Sequence, residues 1–501
     1  MPELIELPCE SPKCQVSITS YQAICSRCHK VWCKDHKDDH VHECAQAKKI
    51  ADDEVQSEKL GQIAKKANAR ELTKLLDQVK FHEKIFIKEA ETFRPGHTCL
   101  MDIPPDYETL QRSKWFAAWN LHFLLTFEDG VRWLLRVRQN RGHRLPSSIT
   151  TPVIQSEVAT LNVLKNFGVA VPAAYLPHHV KYGKENDNVT GLDYFFYEFM
   201  EGKPHPYPKA GWLGEIDLPE DQFNQFIEEY AKVQIQLSNL KMPYKGIGCI
   251  YPSPQNNGRT EVGPIVRQGC FMNPTPPHFM GPFSTLQKMF LAKIDAGLRY
   301  IKINALQGRN PLDEYLWHLE MRELVAASKV LAEKPAELFI KHVDKKGDEL
   351  MVNDEGKVVG IIDWEWAYVT TKDDAFSTPK IFNFTYPYVH GSNELVHAEK
   401  MLIGCYERHD RPDLADCVRN GRLYLRLERI GYYDPAFKKR GFREVFGEDI
   451  PKDFDPPEDD LSWRIYMMKR YEHDEGLKEV INRFGWTLEK AEKLVEEAKQ
   501  V

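Results

Sequence analysis

The stretch Ile340–Trp366 reads IKHVDKKGDELMVNDEGKVVGIIDWEW, and its pattern decides the fold expected for this chain. Two short apolar runs, Leu350–Val352 and Val358–Ile362, flank a polar turn that contains a glycine. Runs of this kind around such a turn predict a β-hairpin. An H-x-D motif ending at Asp344 precedes the hairpin, and Asp363 follows it. The stretch therefore predicts a hairpin with an acidic residue beyond each end.

These two acidic positions suit phosphoryl transfer. In kinase-like enzymes, an Asp in a loop accepts the proton of the acceptor hydroxyl group, and an Asp after a later strand holds magnesium. By this pattern Asp344 is the expected base and Asp363 is the expected magnesium ligand. His342 belongs to the same motif and is included among the catalytic residues. We expect its side chain to brace the loop and not to take part in the chemistry.

The H-x-D motif followed by I-I-D-W-E at Ile361–Glu365 resembles the aminoglycoside phosphotransferase and choline kinase family, especially its fungal members. The resemblance implies an α+β, two-lobed protein-kinase-like fold, with ATP and Mg²⁺ as cofactors and a hydroxyl group of a small molecule as acceptor. Where the family has an Asn as second metal ligand, this chain has Glu349. A carboxylate oxygen also suits magnesium, so Glu349 is the expected ligand and Asp348 the alternative.

The resemblance also implies a small lobe earlier in the chain, with a cation for the nucleotide phosphates. Residues 121–127 and 131–137 read as two strands around a turn, and residues 151–167 read as a helix. Arg136 falls where the family has its phosphate-contacting Lys or Arg. Glu157 falls where the family has the Glu that pairs with this cation. We therefore expect Arg136 and Glu157 to orient the phosphates.

Residues 193–202 read as a buried strand that leads into a turn, and they resemble the hinge between the two lobes of the family. The resemblance places adenine against the backbone of Glu198, Phe199 and Met200. The loop expected to cover the phosphates, residues 112–120, contains no glycine. A backbone cradle for phosphate is therefore not predicted there.

The first 44 residues contain six of the eleven cysteines. In a chain without a secretory signal, this density favours zinc sites over disulfides. Eight ligands suit two tetrahedral zinc ions: Cys9, Cys14, Cys25, Cys28, Cys33, His36, His42 and Cys44.

From Cys25 onward, the ligand spacing resembles the two-zinc finger of stress-associated proteins of the ubiquitin pathway. That resemblance implies interleaved sites, with Cys9, Cys14, Cys33 and His36 on one zinc ion and the other four ligands on the second. It also implies a surface that binds a protein partner. The chain departs from the pattern between its first two ligands, where four residues stand and two are usual.

The length of 501 residues, 42% of them hydrophobic, predicts about two or three domains. We expect a two-zinc finger over 1–46 and a helical linker over 47–94. A kinase domain of the aminoglycoside phosphotransferase type is expected over 95–440, and a helical C-terminal extension over 441–501.

Charge and hydropathy exclude other classes of function. The formal net charge is −7, so no nucleic-acid partner is predicted. No apolar stretch approaches about 20 residues, and no basic start leads into an apolar run, so neither a membrane span nor export is predicted. The expected location is cytoplasmic, with the nucleus left open. The leading function is a small-molecule kinase, and the alternative is a pseudokinase or binding scaffold without catalysis.

Overall fold

The computed structural model describes residues 7–8, 17–18, 65–117, 119–139, 146–181, 188–206, 217–253, 259–266, 275–303, 311–343, 347–382, 385–428, 430, 439–485, 487–490 and 492–493. Helices and antiparallel strands both occur, which confirms the mixed helix-and-strand class expected from the sequence. The chain divides into two units, Met1–Pro219 with Asp348–Asp363, and Glu220–Gly347 with Trp364–Val501. Each unit is described by itself.

The strands in chain order are β1 (Leu7–Pro8), β2 (Ser17–Ile18), β3 (Cys99–Asp102), β4 (Asn120–Phe127), β5 (Arg132–Arg138), β6 (Ala174–Tyr175), β7 (Tyr194–Glu198), β8 (Lys203–Pro204), β9 (Cys249–Pro252), β10 (Thr260–Gly263), β11 (Ile265–Val266), β12 (Phe279–Met280), β13 (Phe339–Lys341), β14 (Leu350–Val352), β15 (Val358–Ile361) and β16 (Tyr368–Thr370).

The helices are α1 (65–81), α2 (Glu83–Phe93), α3 (Tyr107–Arg112), α4 (Ser147–Asn166), α5 (His178–Lys181), α6 (Glu220–Ser238), α7 (Leu286–Lys302), α8 (Pro311–Ala327), α9 (Lys329–Ala332), α10 (Lys372–Phe376), α11 (Tyr386–Val389), α12 (His397–Arg408), α13 (Pro412–Arg419), α14 (Arg422–Leu427), α15 (Lys439–Glu444), α16 (Asp460–Arg470) and α17 (Glu475–Phe484).

The first unit is built on a five-stranded antiparallel sheet with the order β3-β4-β5-β7-β6. Side chains alternate between the two faces of a strand. On β4, Leu121, Phe123 and Leu125 are buried in the core cluster, and Leu135 and Val137 of β5 belong to the same cluster. The residues between them therefore lie on the opposite face, which is the face that carries the candidate site.

Residues 65–93, which the sequence predicts as part of a helical linker, are helical and pack into the core of this sheet. Leu72, Leu76 and Val79 of α1 and Phe86 and Ala90 of α2 are all buried there. The hydrophobic contact of these side chains explains why a segment with loosely spaced apolar residues folds with the sheet.

The predicted hairpin over residues 350–362 forms as β14 and β15, with Leu350 opposite Ile361. It also belongs to the first unit, because β14 pairs with β8. The amide of Ile361 donates a hydrogen bond of 2.8 Å to the carbonyl of Ala170, just after α4. These contacts fix the hairpin relative to the other elements of its unit.

The second unit is mainly helical and contains the antiparallel pair β13–β16, with Lys341 opposite Tyr368. The helical C-terminal extension binds to the buried helix α8 through ion pairs, in which Arg464 pairs with Asp313 and Arg470 pairs with Glu323. Within the described part of the chain, no helix is long and apolar enough to cross a membrane.

Candidate active site

An ion pair between Arg136 and Glu157 is buried on the site face of the sheet. Arg136 comes from β5 and Glu157 comes from the middle of α4. Arg136 Nη1 donates to Glu157 Oε1 at 2.6 Å, and the two side chains are only 7% and 3% exposed. Burial reduces screening by water, so the pair holds the guanidinium group in one position.

Asp363 lies next to the same guanidinium. Its Oδ1 is 3.5 Å from Arg136 Nη2, and its side chain is 47% exposed. The residue has a φ of 60°, in the left-handed region that Asp adopts more readily than most residues. Such strained positions are concentrated at functional sites. The arrangement presents an accessible carboxylate beside a fixed cation, as a phosphate and metal site requires.

Glu349 lies at the same end of the hairpin as Asp363. The amide of Ile362, the residue just before Asp363, donates to the Glu349 carbonyl at 2.9 Å. The Glu349 side chain is buried, whereas the alternative ligand Asp348 is exposed. Carboxylate oxygens are the ligands that magnesium prefers, so Asp363 and Glu349 fit this metal chemically.

Tyr197 is a residue of this region that the sequence did not identify. Burial raises the pKa of its phenol, Arg136 lowers it, and Glu157 and Asp363 raise it further, so the group stays neutral. Its neighbour on the same face, Phe195, has its ring centre 5.6 Å from the Arg136 guanidinium. Side chains two residues apart on a strand lie on the same face, so Phe195 and Tyr197 share one face of β7. This spacing is the sequence signal that could have identified Tyr197.

The three residues predicted as a hinge, Glu198, Phe199 and Met200, lie at the end of β7 and just after it, but two of their three amides already have partners. The amide of Glu198 donates to the carbonyl of Ala173 at 2.9 Å, and that of Phe199 donates to the carbonyl of Arg132 at 3.0 Å. The Met200 amide has no partner within the described ranges. Of these three amide donors, only that of Met200 is left for a nucleotide base.

Met200 also packs against the hairpin formed by β14 and β15. A Cβ atom added at Gly360 of β15 would meet the terminal methyl group of Met200, Cε. The methyl group would have to move to make room, which the flexible Met200 side chain allows. The contact links the position of Met200 to the strand that leads to Asp363.

The loop over residues 112–120 uses its own acceptors for several of its amides. The Trp115 amide donates to Ser113 Oγ at 3.3 Å, and the Phe116 amide donates to the Ser113 carbonyl at 3.4 Å. The Ala117 amide donates to the Asn120 carbonyl at 3.1 Å. These three donors are therefore not available as a phosphate cradle, in agreement with the absence of glycine.

In the second unit, His342 is buried at the end of β13. Its ring meets the ring of Trp364 edge-to-face, with 4.7 Å between the ring centres. Trp364 is one of the most deeply buried side chains of the chain and directly follows Asp363. This packing agrees with a bracing role for His342. The expected base, Asp344, lies outside the described residues.

Lys341, just before His342, is the centre of a buried network that the sequence did not reveal. Its Nζ is 2.7 Å from Asp374 Oδ1 and 2.9 Å from Glu428 Oε1. Asp374 Oδ2 accepts hydrogen bonds of 2.8 Å from the hydroxyl groups of Tyr368 and Thr370. The network joins β13 to β16, so it stabilises the strand that leads into the H-x-D motif.

Burial lowers the pKa of Lys341, but Asp374, Tyr368 and Glu428 raise it well above its usual value, so Lys341 remains charged. Asp374 is consequently occupied inside the unit and is not an open carboxylate for a substrate. A lysine directly after the apolar run Leu338–Ile340 is the signal that could have pointed to this network.

The eight predicted zinc ligands lie outside the described residues, in the same way as Asp344. Their positions are Cys9, Cys14, Cys25, Cys28, Cys33, His36, His42 and Cys44. Near them, the structure describes only the backbone pairing of β1 with β2, in which Leu7 lies opposite Ile18.

Comparisons with known proteins find similarity in structure alone. No protein-family model matches the chain, and no curated protein matches it in sequence. A type I macrolide 2'-phosphotransferase has 14% identity and a TM-score of 0.36, with 72% of this chain and 94% of that chain covered. An ethanolamine kinase of Plasmodium vivax has 13% identity and a TM-score of 0.36, with 71% and 79% covered.

A macrolide 2'-phosphotransferase from Brachybacterium faecium, in its apo form, has 12% identity and a TM-score of 0.33, with 73% of this chain and 99% of that chain covered. TM-scores of this size do not establish a common fold. The function must therefore be inferred from the side chains of the described residues.

Proposed function

We propose that this protein is an ATP- and Mg²⁺-dependent phosphotransferase that acts on a hydroxyl group of a small molecule. The observation that carries the proposal is the buried Arg136–Glu157 pair with Asp363 beside it. A fixed guanidinium group and an accessible carboxylate are the two charges needed to hold a metal-bound triphosphate.

The residues of the first unit fit both cofactors. Arg136 would bind phosphate oxygens, while Asp363 and Glu349 would hold magnesium. The Met200 amide, which has no partner among the described residues, would meet the adenine base. Bound ATP with magnesium would supply the phosphoryl group and the neutralising charge. Tyr197, a neutral hydroxyl donor on the same face, would add a hydrogen bond near Arg136.

The H-x-D motif supports the transfer step by its residue types alone. Asp344 would accept the proton of the acceptor hydroxyl group, as a carboxylate in this motif does in kinase-like enzymes. His342, buried against Trp364, would brace the segment that carries it. Lys341 and its acidic partners would stabilise the strand before the motif.

Magnesium-dependent ATP binding tests the proposal. The full chain is titrated with ATP by calorimetry, with and without magnesium, beside Asp363→Asn. We expect the variant to lose the magnesium-dependent part of the binding. Asp354→Asn is the matched control, because Asp354 lies in the turn of the same hairpin and is fully exposed. Equal magnesium-dependent binding by wild type and Asp363→Asn would reject the role of Asp363.

A second candidate is a pseudokinase or binding scaffold without catalysis. It is favoured by the loop over residues 112–120, whose Trp115, Phe116 and Ala117 amides are engaged within the loop. This loop would give little backbone support to phosphates. Wild-type protein that binds no ATP at millimolar concentration, with or without magnesium, would favour this candidate.

We also propose that the N-terminal segment is a two-zinc finger that recruits a protein partner. The support is the number and spacing of its ligands, from Cys9 to Cys44. Elemental analysis of a peptide of residues 1–50 should give about two zinc ions per chain. One zinc ion or none would reject the interleaved arrangement.

A further inference from the structure

Three potential metal ligands meet in the second unit, at residues that the proposed kinase site does not use. They are Glu228 of α6, Cys405 of α12 and His409, which directly follows α12. One ligand atom from each residue lies within 4.8 Å of the others. Glu228 Oε1 is 2.7 Å from His409 Nε2, and Glu228 Oε2 is 3.1 Å from Cys405 Sγ.

The secondary structure explains why these side chains meet. Cys405 and His409 are four residues apart at the end of α12, which places them on one face of the helical turn. Glu228 lies on α6, in the helix that packs along α12. The arrangement is therefore fixed by two packed helices rather than by a surface loop.

We propose that Glu228, Cys405 and His409 form a zinc-binding site. A thiol, an imidazole and a carboxylate are the three ligand types that zinc accepts in proteins. Magnesium and calcium would not select the thiol, because they prefer oxygen ligands. Three protein ligands leave one position of a tetrahedral zinc ion for water or another small ligand.

The distances require only a small adjustment. Zinc bonds of about 2.0 to 2.3 Å place tetrahedral ligand atoms about 3.3 to 3.7 Å apart. The two contacts of Glu228, which its two oxygens make at 2.7 and 3.1 Å, would therefore open by less than about 1 Å, and any separation among the three ligand atoms as wide as 4.8 Å would close by at most about 1.5 Å. Rotation of the half-exposed Glu228 and His409 side chains can provide this change.

Zinc would replace protons that now hold the cluster together. Burial and the hydrogen bond to Glu228 raise the pKa of the Cys405 thiol to about 12, so the thiol is protonated without metal. Binding forms a sulfur–zinc bond, breaks the sulfur–hydrogen bond and releases that proton to water. His409 contributes the lone pair of Nε2 in its neutral form, with its remaining proton on Nδ1.

Two cations near Glu228 would compete with zinc, but each can move away. Lys232 Nζ is 3.5 Å from Glu228 Oε1 and keeps Glu229 as a closer partner at 2.9 Å. Arg408 Nη2 is 3.9 Å from Glu228 Oε2, on a side chain that is 67% exposed. Both contacts with Glu228 are weak at such separations and exposures.

Zinc content of the full chain tests the proposal. Wild type, Cys405→Ser and the control Cys417→Ser are dialysed to equilibrium against the same buffered concentration of free Zn²⁺, without nucleotide. Elemental analysis should find one zinc ion fewer per chain in Cys405→Ser than in wild type. Cys417→Ser should match wild type, because Cys417 is buried in the same unit but is not part of the cluster.

Any zinc held by the N-terminal segment is the same in every variant, so it does not affect the difference in zinc content between variants. This difference also does not depend on kinase activity. His409→Gln is the second variant, since His409 is partly exposed and its replacement should leave the fold intact. It should also bind one zinc ion fewer than wild type. Equal zinc content in His409→Gln and wild type, or an equal loss in Cys417→Ser and Cys405→Ser, would overturn the proposal.

Discussion

Replacement of Glu157 by Gln is the sharpest single test of the charge arrangement in the first unit. Removal of one partner of a buried ion pair costs about 3–5 kcal/mol, because the other charge is left uncompensated. In this chain, Arg136 keeps Asp363 at 3.5 Å, and Gln keeps one oxygen acceptor. We therefore expect a smaller loss in the free energy of unfolding, about 2–3 kcal/mol.

The same change should weaken ATP binding. Without Glu157, Arg136 is expected to approach Asp363 and to occupy the carboxylate proposed for magnesium. A loss of about 1.4 kcal/mol or more corresponds to a tenfold or greater rise in the Kd for ATP with magnesium.

Urea denaturation and calorimetric titration measure the two effects of Glu157→Gln separately. Glu71→Gln is the matched control, because Glu71 forms an exposed ion pair with Lys74 on α1 of the same unit. Such a surface pair contributes about 0–1 kcal/mol, and its loss should leave the Kd unchanged. If Glu157→Gln binds magnesium-ATP as tightly as wild type while its stability falls as expected, then Glu157 does not position Arg136 for the nucleotide.

Other predictions follow from single contacts. Lys341→Met should lower the free energy of unfolding by about 3–5 kcal/mol in urea, since it leaves Asp374 buried without its cation. Gly360→Ala should cost less than about 1 kcal/mol in the same assay, because its Cβ meets only the terminal methyl group of the flexible Met200 side chain, which can turn away. Glu349→Asn should keep magnesium-dependent transfer and Glu349→Ala should lower it, as measured by labelled product; equal activity in both would remove Glu349 from the metal site. Burial and the nearby Asp313 raise the pKa of the Glu314 carboxyl group from 4.5 to about 7, so the folded state favours the neutral form. The resulting contribution to the free energy of unfolding is fully present below pH 4.5 and is lost as the pH rises through about 7. Thermal unfolding of Glu314→Gln should show a flatter profile over that range, and an unchanged profile would contradict this.

The local patterns of the sequence predicted much of the first unit. The hairpin over residues 350–362 was predictable because two apolar runs and a glycine-containing turn specify it locally. Residues 121–127 and 131–137 were predictable for the same reason. The Arg136 and Glu157 side chains do meet, at positions inferred from family resemblance rather than from local pattern.

The features that the sequence did not predict depend on residues far apart in the chain. Lys341 is buried only because Asp374 and Glu428 approach it, and neither is near it in sequence. The packing of residues 65–93 into the sheet depends on a tertiary surface that a loose helical pattern does not specify. Likewise, the occupied amides of Glu198 and Phe199 follow from strand pairing with distant segments.

Phosphoryl transfer itself is the most direct test of the central claim. The full chain is incubated with γ-labelled ATP, magnesium and a panel of small hydroxyl-bearing acceptors, and labelled product is separated from ATP and inorganic phosphate. We expect a labelled product that requires magnesium and that is absent with Asp344→Asn, although that variant still binds ATP. An equal yield of labelled product from Asp344→Asn and wild type, or no magnesium-dependent ATP binding by the wild type, would contradict the central claim.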